Sequence, residues 1–360
     1  MRKRRGVHAE LLSILSNALG QMPSGTGGQL SLRCSEGTWD VVSGTGQTGA
    51  ALRQQDLHPG YCLTRPLLAI ASGILVDRFD LVLSEPIGLV ELLDGVTVLL
   101  DCSVEDVLSH QVGLTGPTAF EWRALDWPDL VAAVASVTST GEPSYSEVMS
   151  GLAIEAIIQR HTGVDATDWV ARQVLEPLSL SADICMDPAL LLRARAGAEL
   201  QVPVGGDRST RYPLLSELLA PHLQRTRLAF GAWITARGLA DLYWRWITSL
   251  ERSELTPGLP RPETSRSLLA ARPGFHDPSQ GHDAQYSAGG LVVDLARAGV
   301  CTTATPRAFG HPGGFSTSFG LADLDPPISI GAYLNGIIDN FDDLAAVRSE
   351  VASQCLDLVR

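Results

Sequence analysis

Cys62-Leu63-Thr64-Arg65 sets a thiol one helical turn ahead of a guanidinium, in a chain whose only lysine is Lys3. The thiolate is the nucleophilic form of cysteine. An unperturbed pKa of ~8.5 leaves some thiolate at neutral pH, and a nearby cation or helix N-terminus adds to it. Arg65 can supply the cation but cannot take the proton, because a guanidinium stays charged at any working pH. Two further stretches hold groups able to move protons: Tyr145-Ser146-Glu147 offers a phenol and a carboxylate, and His311 lies in the Gly/Pro-rich turn Gly310-His311-Pro312-Gly313-Gly314. A thiol, a phenol, a carboxylate and an imidazole are groups that serve nucleophilic and acid–base chemistry.

These residues need elements to hold them. From Cys62 to Val76 the apolar positions Leu63, Leu67, Leu68, Ile70, Ala71, Ile74 and Leu75 recur at helical spacing on too many faces for a surface helix, which predicts a buried helix with Cys62 in its first turn. Gln29–Arg33 and Thr38–Val42 read as strands joined by a Ser35-Glu36-Gly37 turn. Residues 84–272 read as mostly helix and loop, with helical periodicity over Ser103–His110, Ser146–His161, Ala166–Leu175 and Arg237–Ser249, and with Gly163 as a C-cap. Gly205–Tyr212 and Thr256–Arg272 read as surface excursions. Strand character returns over Ala288–Val293, Ala308–His311, Ser316–Ala322 and Ile328–Asn335, and a helix, Phe341–Val359, follows. The expected fold class is α+β, an antiparallel sheet flanked by helices with an inserted mostly helical region. The expected division is an N-terminal helix (1–27), a sheet domain (28–83 plus 285–360) and an inserted helical domain (84–284).

Composition limits the function classes. A chain of 360 residues with 45% hydrophobic content can bury a full core. A formal charge of -13 argues against nucleic-acid binding, which needs clustered cations. Apolar runs such as Leu67–Val76 fall short of the ~20 residues needed to cross a bilayer. Met1-Arg2-Lys3-Arg4-Arg5 is like the basic end of a signal peptide, but His8, Glu10, Ser13 and Ser16 interrupt the apolar stretch that should follow. Residues 7–19 therefore read as an amphipathic surface helix and the protein as cytoplasmic, with no membrane partner. The six cysteines show neither disulfide-framework nor zinc-finger spacing.

Other candidates carry less chemistry. Gly44-Thr45-Gly46-Gln47-Thr48-Gly49 fits G-x-G-x-x-G, but the helix, second strand and acid that a dinucleotide site needs do not follow. His276, Asp277, His282 and Asp283 sit among Pro, Gly and Ser and read as an exposed loop rather than a metal site, so neither metal nor cofactor is expected. No Gly-x-Ser-x-Gly nucleophile elbow occurs. His110 reads as a loop stabiliser, and Tyr243, Trp244 and Trp246 as packing. Each acyl-site candidate also has a plainer reading: Cys62 as a small buried hydrophobe, Tyr145 as a core phenol, Arg65 with Glu147 as a structural ion pair.

In order along the chain, Tyr61-Cys62-Leu63-Thr64-Arg65-Pro66, Ser103–His110 with Gly113-Leu114, Pro143-Ser144-Tyr145-Ser146-Glu147, Leu175-Glu176-Pro177-Leu178, Trp233–Ala240 and Gly310-His311-Pro312-Gly313-Gly314 resemble the motifs of the serine β-lactamase and penicillin-binding-protein superfamily, in particular its class C and esterase branch. The resemblance covers about residues 28–350. It implies a β-lactamase/transpeptidase-like fold and acyl chemistry through a covalent intermediate. In that family Cys62 stands where serine attacks, Arg65 where lysine helps remove its proton, and Glu147 where asparagine sits. Tyr145 matches the family's proton relay. The resemblance further implies that backbone N–H groups of Cys62 and Gly314 receive the oxyanion and that Gly313 and Phe315 touch substrate. It brings Arg65 and Glu147 together near the nucleophile, so that an ion pair can form, or Glu147 can accept the thiol proton.

The expected function is an acyl-transfer enzyme, a hydrolase, acyltransferase or cyclase, acting on a small-molecule ester, thioester or amide through a Cys62 thioester. A non-hydrolytic enzyme that uses Tyr145, Glu147 and His311 without a covalent intermediate is the second reading, and a non-catalytic small-molecule-binding protein the third.

Overall fold

Gly27–Cys34 (β1) and Gly37–Gly44 (β2) pair antiparallel around the expected turn, in the register Leu32↔Trp39. Near the other end of the chain, Phe309–Pro312 (β10), Thr317–Leu324 (β11) and Pro327–Leu334 (β12) form a meander, and β12 pairs with β1 in the register Gly28↔Leu334. The result is one five-stranded antiparallel sheet, ordered β10-β11-β12-β1-β2, built from chain segments far apart in sequence. The structure is a computed structural model describing residues 2–22, 26–46, 48–93, 95–116, 127–186, 228, 231–314, 317–338 and 340–360.

Both faces of the sheet are covered, which is why every residue of β1 is buried and the strand lacks alternation. On one face, Arg2–Gly20 (α1) and Phe341–Asp357 (α9) pack over Leu30, Leu32, Phe319, Leu321 and Ile330. α1 buries Leu11 and Leu15 completely there. On the other face lies Ala236–Arg252 (α7), N-capped by Thr235, whose hydroxyl accepts from the Gly238 N–H. Gly331 allows this approach, since a Cβ there would lie 2.1 Å from the carbonyl oxygen of Ala236.

A second core surrounds Arg65–Phe79 (α2). Leu67, Leu68, Ile70 and Leu75 are fully buried in it, each worth roughly 1.5–3 kcal/mol on transfer from water. Pro66 at the helix start costs no hydrogen bond, and Asp80 ends the helix in the left-handed conformation (φ 53°). Met149–Thr162 (α5) packs directly on α2, and the same core takes in Val104–Leu108 (α3), Trp127–Ala135 (α4) and Ala166–Val170 (α6), which runs on through a wider turn to Leu175. Gly163 caps α5 with φ 69°. Ser103 and Asp106 form a capping box on α3.

Three sequence expectations change. The first part of 84–272 is not helix and loop: Pro86–Leu93 (β4) and Val96–Ser103 (β5) pair as an antiparallel hairpin. Val98, Leu100 and Cys102 alternate inward with Thr97, Leu99 and Asp101 outward, a period-two signal that the apolar density of the stretch obscures. Within 256–272 a helix forms, Pro262–Leu269 (α8), started by its proline. Ala288–Val293 is not a strand of the sheet. It folds back through isolated bridges, Tyr286↔Val292 and Val292↔Gly310, because Gly290 takes φ 80° against the Leu108 carbonyl. Gly205–Tyr212 lies outside the described residues. Three short strands, His58–Pro59 (β3), Ile184–Cys185 (β6) and Trp233–Ile234 (β7), hold the segment leading into the nucleophile turn.

Candidate active site

Cys62 sits in a 3-10 turn, Tyr61–Thr64, that feeds directly into α2. The turn is held by Leu63 N–H to the Gly60 carbonyl at 2.8 Å and Thr64 Oγ1 to the Tyr61 carbonyl at 2.9 Å. Tyr61 takes φ 45°, a left-handed conformation that bulky residues adopt only under constraint and that is common beside reactive groups. The turn delivers the Cys62 sulfur to the wall of a cavity of about 300 Å³ while leaving the residue only 8% exposed.

Burial pushes the Cys62 thiol up, and the charge of Glu147 pushes it further; Arg65, the Tyr145 phenol and the Gly314 N–H act in the opposite direction and do not prevail. The helix-start cation is present as the sequence suggests, yet the thiol is the resting form. The thiolate-lowering influences read from sequence are outweighed because the turn is desolvated.

Arg65 is 1% exposed. Its guanidinium donates to Ser150 Oγ at 2.6 Å and to the backbone carbonyls of Ser146 at 3.2 Å and Glu147 at 2.8 Å, and lies 5.1 Å from the centre of the Tyr145 ring. Arg65 and Glu147 do meet, but through the Glu147 main chain. The guanidinium thus organises the Tyr145–Ser150 segment as a multi-donor clamp that an ammonium could not imitate.

Tyr145 is fixed from two sides. Its own N–H donates to Asp277 Oδ2 at 3.1 Å, and the next N–H, of Ser146, donates to His110 Nδ1 at 3.2 Å. Accepting there forces the proton of a neutral His110 onto Nε2. The rings of His110 and Tyr286 flank the phenol, with centroids 4.4 and 6.0 Å away. Burial keeps the phenol protonated far above its ordinary range. Its hydroxyl is close enough to favour the thiolate but meets no acceptor at full hydrogen-bond geometry among the described residues, so it stands as a poised donor.

His311, on β10, bonds through Nδ1 to the Pro312 carbonyl at 2.8 Å. A carbonyl only accepts, so Nδ1 carries the proton and Nε2 offers its lone pair. Burial, with Arg65 and Arg348 nearby, drives the ring's pKa down to about 3, and it stays neutral. Beyond it Gly313 and Gly314 line the cavity. A Cβ on Gly313 would lie 2.0 Å from Ser318 Oγ, so only glycine fits. A Cβ on Gly314 would lie 3.8 Å from the Cys62 sulfur, which puts the Gly314 backbone directly beside the nucleophile. Phe315 lies outside the described residues.

The structure therefore gathers Cys62, Tyr145, Glu147, His311, Gly313 and Gly314 around one cavity, with Arg65 beneath them. Among the lining residues that the sequence did not single out are Tyr286 and, on α9, Arg348. Arg348, 3% exposed, donates to the Gly313 carbonyl at 2.6 Å, and burial lowers its pKa to about 10. Nothing local marks it, since one arginine on an amphipathic helix looks like a solvated side chain. The stretch 275–284 also differs from expectation. Phe275–Asp277 (β8) and His282–Ala284 (β9) form a hairpin in which His276 and Asp283 pair on the exposed side while Asp277 is wholly buried.

The Beta-lactamase family model matches residues 37–351. Among solved structures, a family VIII carboxylesterase superposes with TM-score 0.72 at 18% identity over 97% of both chains. The D-amino acid amidase from Ochrobactrum anthropi SV3, complexed with L-phenylalanine amide, gives 0.71 at 16% identity over 98% of both. A penicillin-binding protein homolog from Caulobacter crescentus gives 0.70 at 17% identity over 97% of both. No functionally curated protein matches the chain. The family match spans the nucleophile turn, the Tyr145 segment and the His311 strand whose geometry is described above, and on that ground the chain belongs to the Beta-lactamase family.

Proposed function

We propose that the protein is an acyl-transfer enzyme that forms a thioester on Cys62 from a small ester, thioester or amide. The observation that carries this reading is the position of the sulfur, against the Gly314 backbone at the wall of a cavity shared with Tyr145, Glu147 and His311. The esterase and amidase activities named for two structural neighbours fit the same reaction class.

A raised thiol must lose its proton as it attacks. Glu147 is the nearby anion whose charge acts on the thiol, and it takes that proton as the C–S bond forms. The N–H groups of Gly314 and Cys62 receive the negative charge that develops on the carbonyl oxygen; backbone donors are indifferent to the side chains exchanged around them. Tyr145, protonated throughout the neutral range, gives its proton to the leaving group; as phenolate it takes the proton that the incoming water, alcohol or amine gives up in the second half-reaction, while Glu147 returns its proton to the departing Cys62 sulfur. In the second half-reaction His311 Nε2 accepts a hydrogen bond from the incoming water, alcohol or amine and orients it. Arg65 holds the segment that carries Tyr145 and Glu147.

The buried, protonated thiol also suits a non-covalent reading in which Tyr145, Glu147 and His311 do acid–base work and Cys62 only packs. Intact-mass spectrometry with aryl esters, acyl thioesters and β-lactones decides between them. A wild-type adduct of acyl mass that Cys62→Ala lacks supports the thioester; Cys62→Ala turning over substrate at wild-type rate removes it. A protein with no ligand-dependent chemistry at all would be a binding protein.

A further inference from the structure

Asp277 is wholly buried and has no part in the chemistry above. Its two oxygens serve different segments. Oδ2 accepts from the Tyr145 N–H at 3.1 Å, across 132 residues of sequence. Oδ1 accepts from the N–H of Ser279 at 2.9 Å and from its hydroxyl at 2.7 Å, and the Asp277 carbonyl accepts from the Gly281 N–H at 2.8 Å. These bonds fold the β8–β9 turn, which presents Gln280 and His282 to the cavity. The His282 ring stacks on Phe341 of α9, with centroids 5.5 Å apart, so the hairpin reaches across the cavity mouth. One carboxylate thus ties the phenol beside the nucleophile to the rim an acyl group must pass.

We propose that Asp277 is a positioning residue of this site, setting the place of the Tyr145 hydroxyl and coupling to it the Gln280–His282 rim that selects acyl length. The proposal rests on the acyl-transfer reading for its kinetic consequences and on hydrogen bonding alone for its structural one. Asn at this position can accept through one oxygen only and turns an N–H against an N–H donor on its other side.

The test compares wild type, Asp277→Asn, Tyr145→Phe and the double variant, using aryl acetate and aryl hexanoate. A misplaced proton donor costs about tenfold to a hundredfold. Asp277→Asn should therefore slow Cys62 acylation by acetate to that extent with little change in KM, while KM for hexanoate rises. In the Tyr145→Phe background the same substitution should change the acetate rate by less than about threefold, because the hydroxyl it places is gone. Equal losses in both backgrounds would overturn the proposal and leave Asp277 a merely structural residue. Amide hydrogen exchange supplies a readout independent of activity: Asp277→Asn should deprotect 144–147 and 279–282 together while α2 keeps its protection. Unchanged exchange in those two segments would also overturn it. Failure of every ester to acylate the wild type sinks the acyl-transfer reading, and the exchange result still decides whether Asp277 holds the two segments together.

Discussion

The Arg65 guanidinium lies 5.1 Å from the centre of the Tyr145 ring and reaches past it to the carbonyls of Ser146 and Glu147. A residue that in sequence reads as the loss of a base is in the fold the fastening of a loop. Arg65→Met removes the guanidinium donors to both carbonyls, leaving that of Ser146 with the Ser150 hydroxyl and that of Glu147 without its side-chain donor. An unsatisfied buried acceptor costs roughly 1–3 kcal/mol, so this variant should unfold at clearly lower denaturant. Arg65→Lys, able to keep part of the set, should fall between. Urea titration of the three proteins measures the order; wild-type stability in Arg65→Met would show that the clamp contributes nothing.

The charge of Glu147 raises the Cys62 thiol, so neutralising it should lower that thiol. Glu147→Gln should speed alkylation of Cys62 by iodoacetamide at pH 7.5 by up to about tenfold, one pKa unit being a tenfold change in thiolate. Acyl turnover should fall in the same variant if Glu147 takes the proton. Alkylation and turnover moving in the same direction would remove Glu147 from the proton path.

His311 is neutral in the fold with a pKa near 3, against an ordinary imidazole value near 6.5. The unfolded chain therefore takes up a proton in this range that the folded one does not. The stabilisation is complete above about pH 6.5 and is lost as pH falls toward 3, at up to about 1.4 kcal/mol per pH unit. His58 and His110, also buried and depressed, should add to the slope. Unfolding free energies at pH 7, 6 and 5 check this, and His58→Gln should flatten the curve.

Gly313 leaves no room for a methyl group beside Ser318 Oγ. Gly313→Ala must shift the adjoining Gly314 and should cost about 1–3 kcal/mol, the usual range for overpacking, together with most of the acylation rate. Adding Ser318→Ala removes the atom in closest conflict and should restore part of both. Thermal unfolding and the rate of adduct formation report the two effects separately.

Much of this site could be read in sequence because its motifs are local. Cys62 to Arg65, Tyr145 to Glu147 and His311 to Gly314 each lie within one turn or one strand end, where spacing translates directly into neighbourhood. What escaped depends on distant segments. Whether Cys62 rests as thiol or thiolate is decided by desolvation, which spacing does not encode. Arg348 and Asp277 act on backbone groups contributed by other parts of the chain, and Asp277 sits in a Pro/Gly/Ser stretch that composition alone marks as exposed. The β4–β5 hairpin was hidden because its outward positions include Leu89 and Leu99, both largely exposed, so alternation of polarity fails there.

Arg348 reaches the Gly313 carbonyl from a helix that itself leans on α1, with Gln21 bonded to Glu350 at 3.0 Å. The two terminal helices therefore work as a latch on the wall beside the nucleophile. A proteolytic nick or a bulky fusion that loosens the last helix would read out as an active-site defect, although it touched no reacting atom.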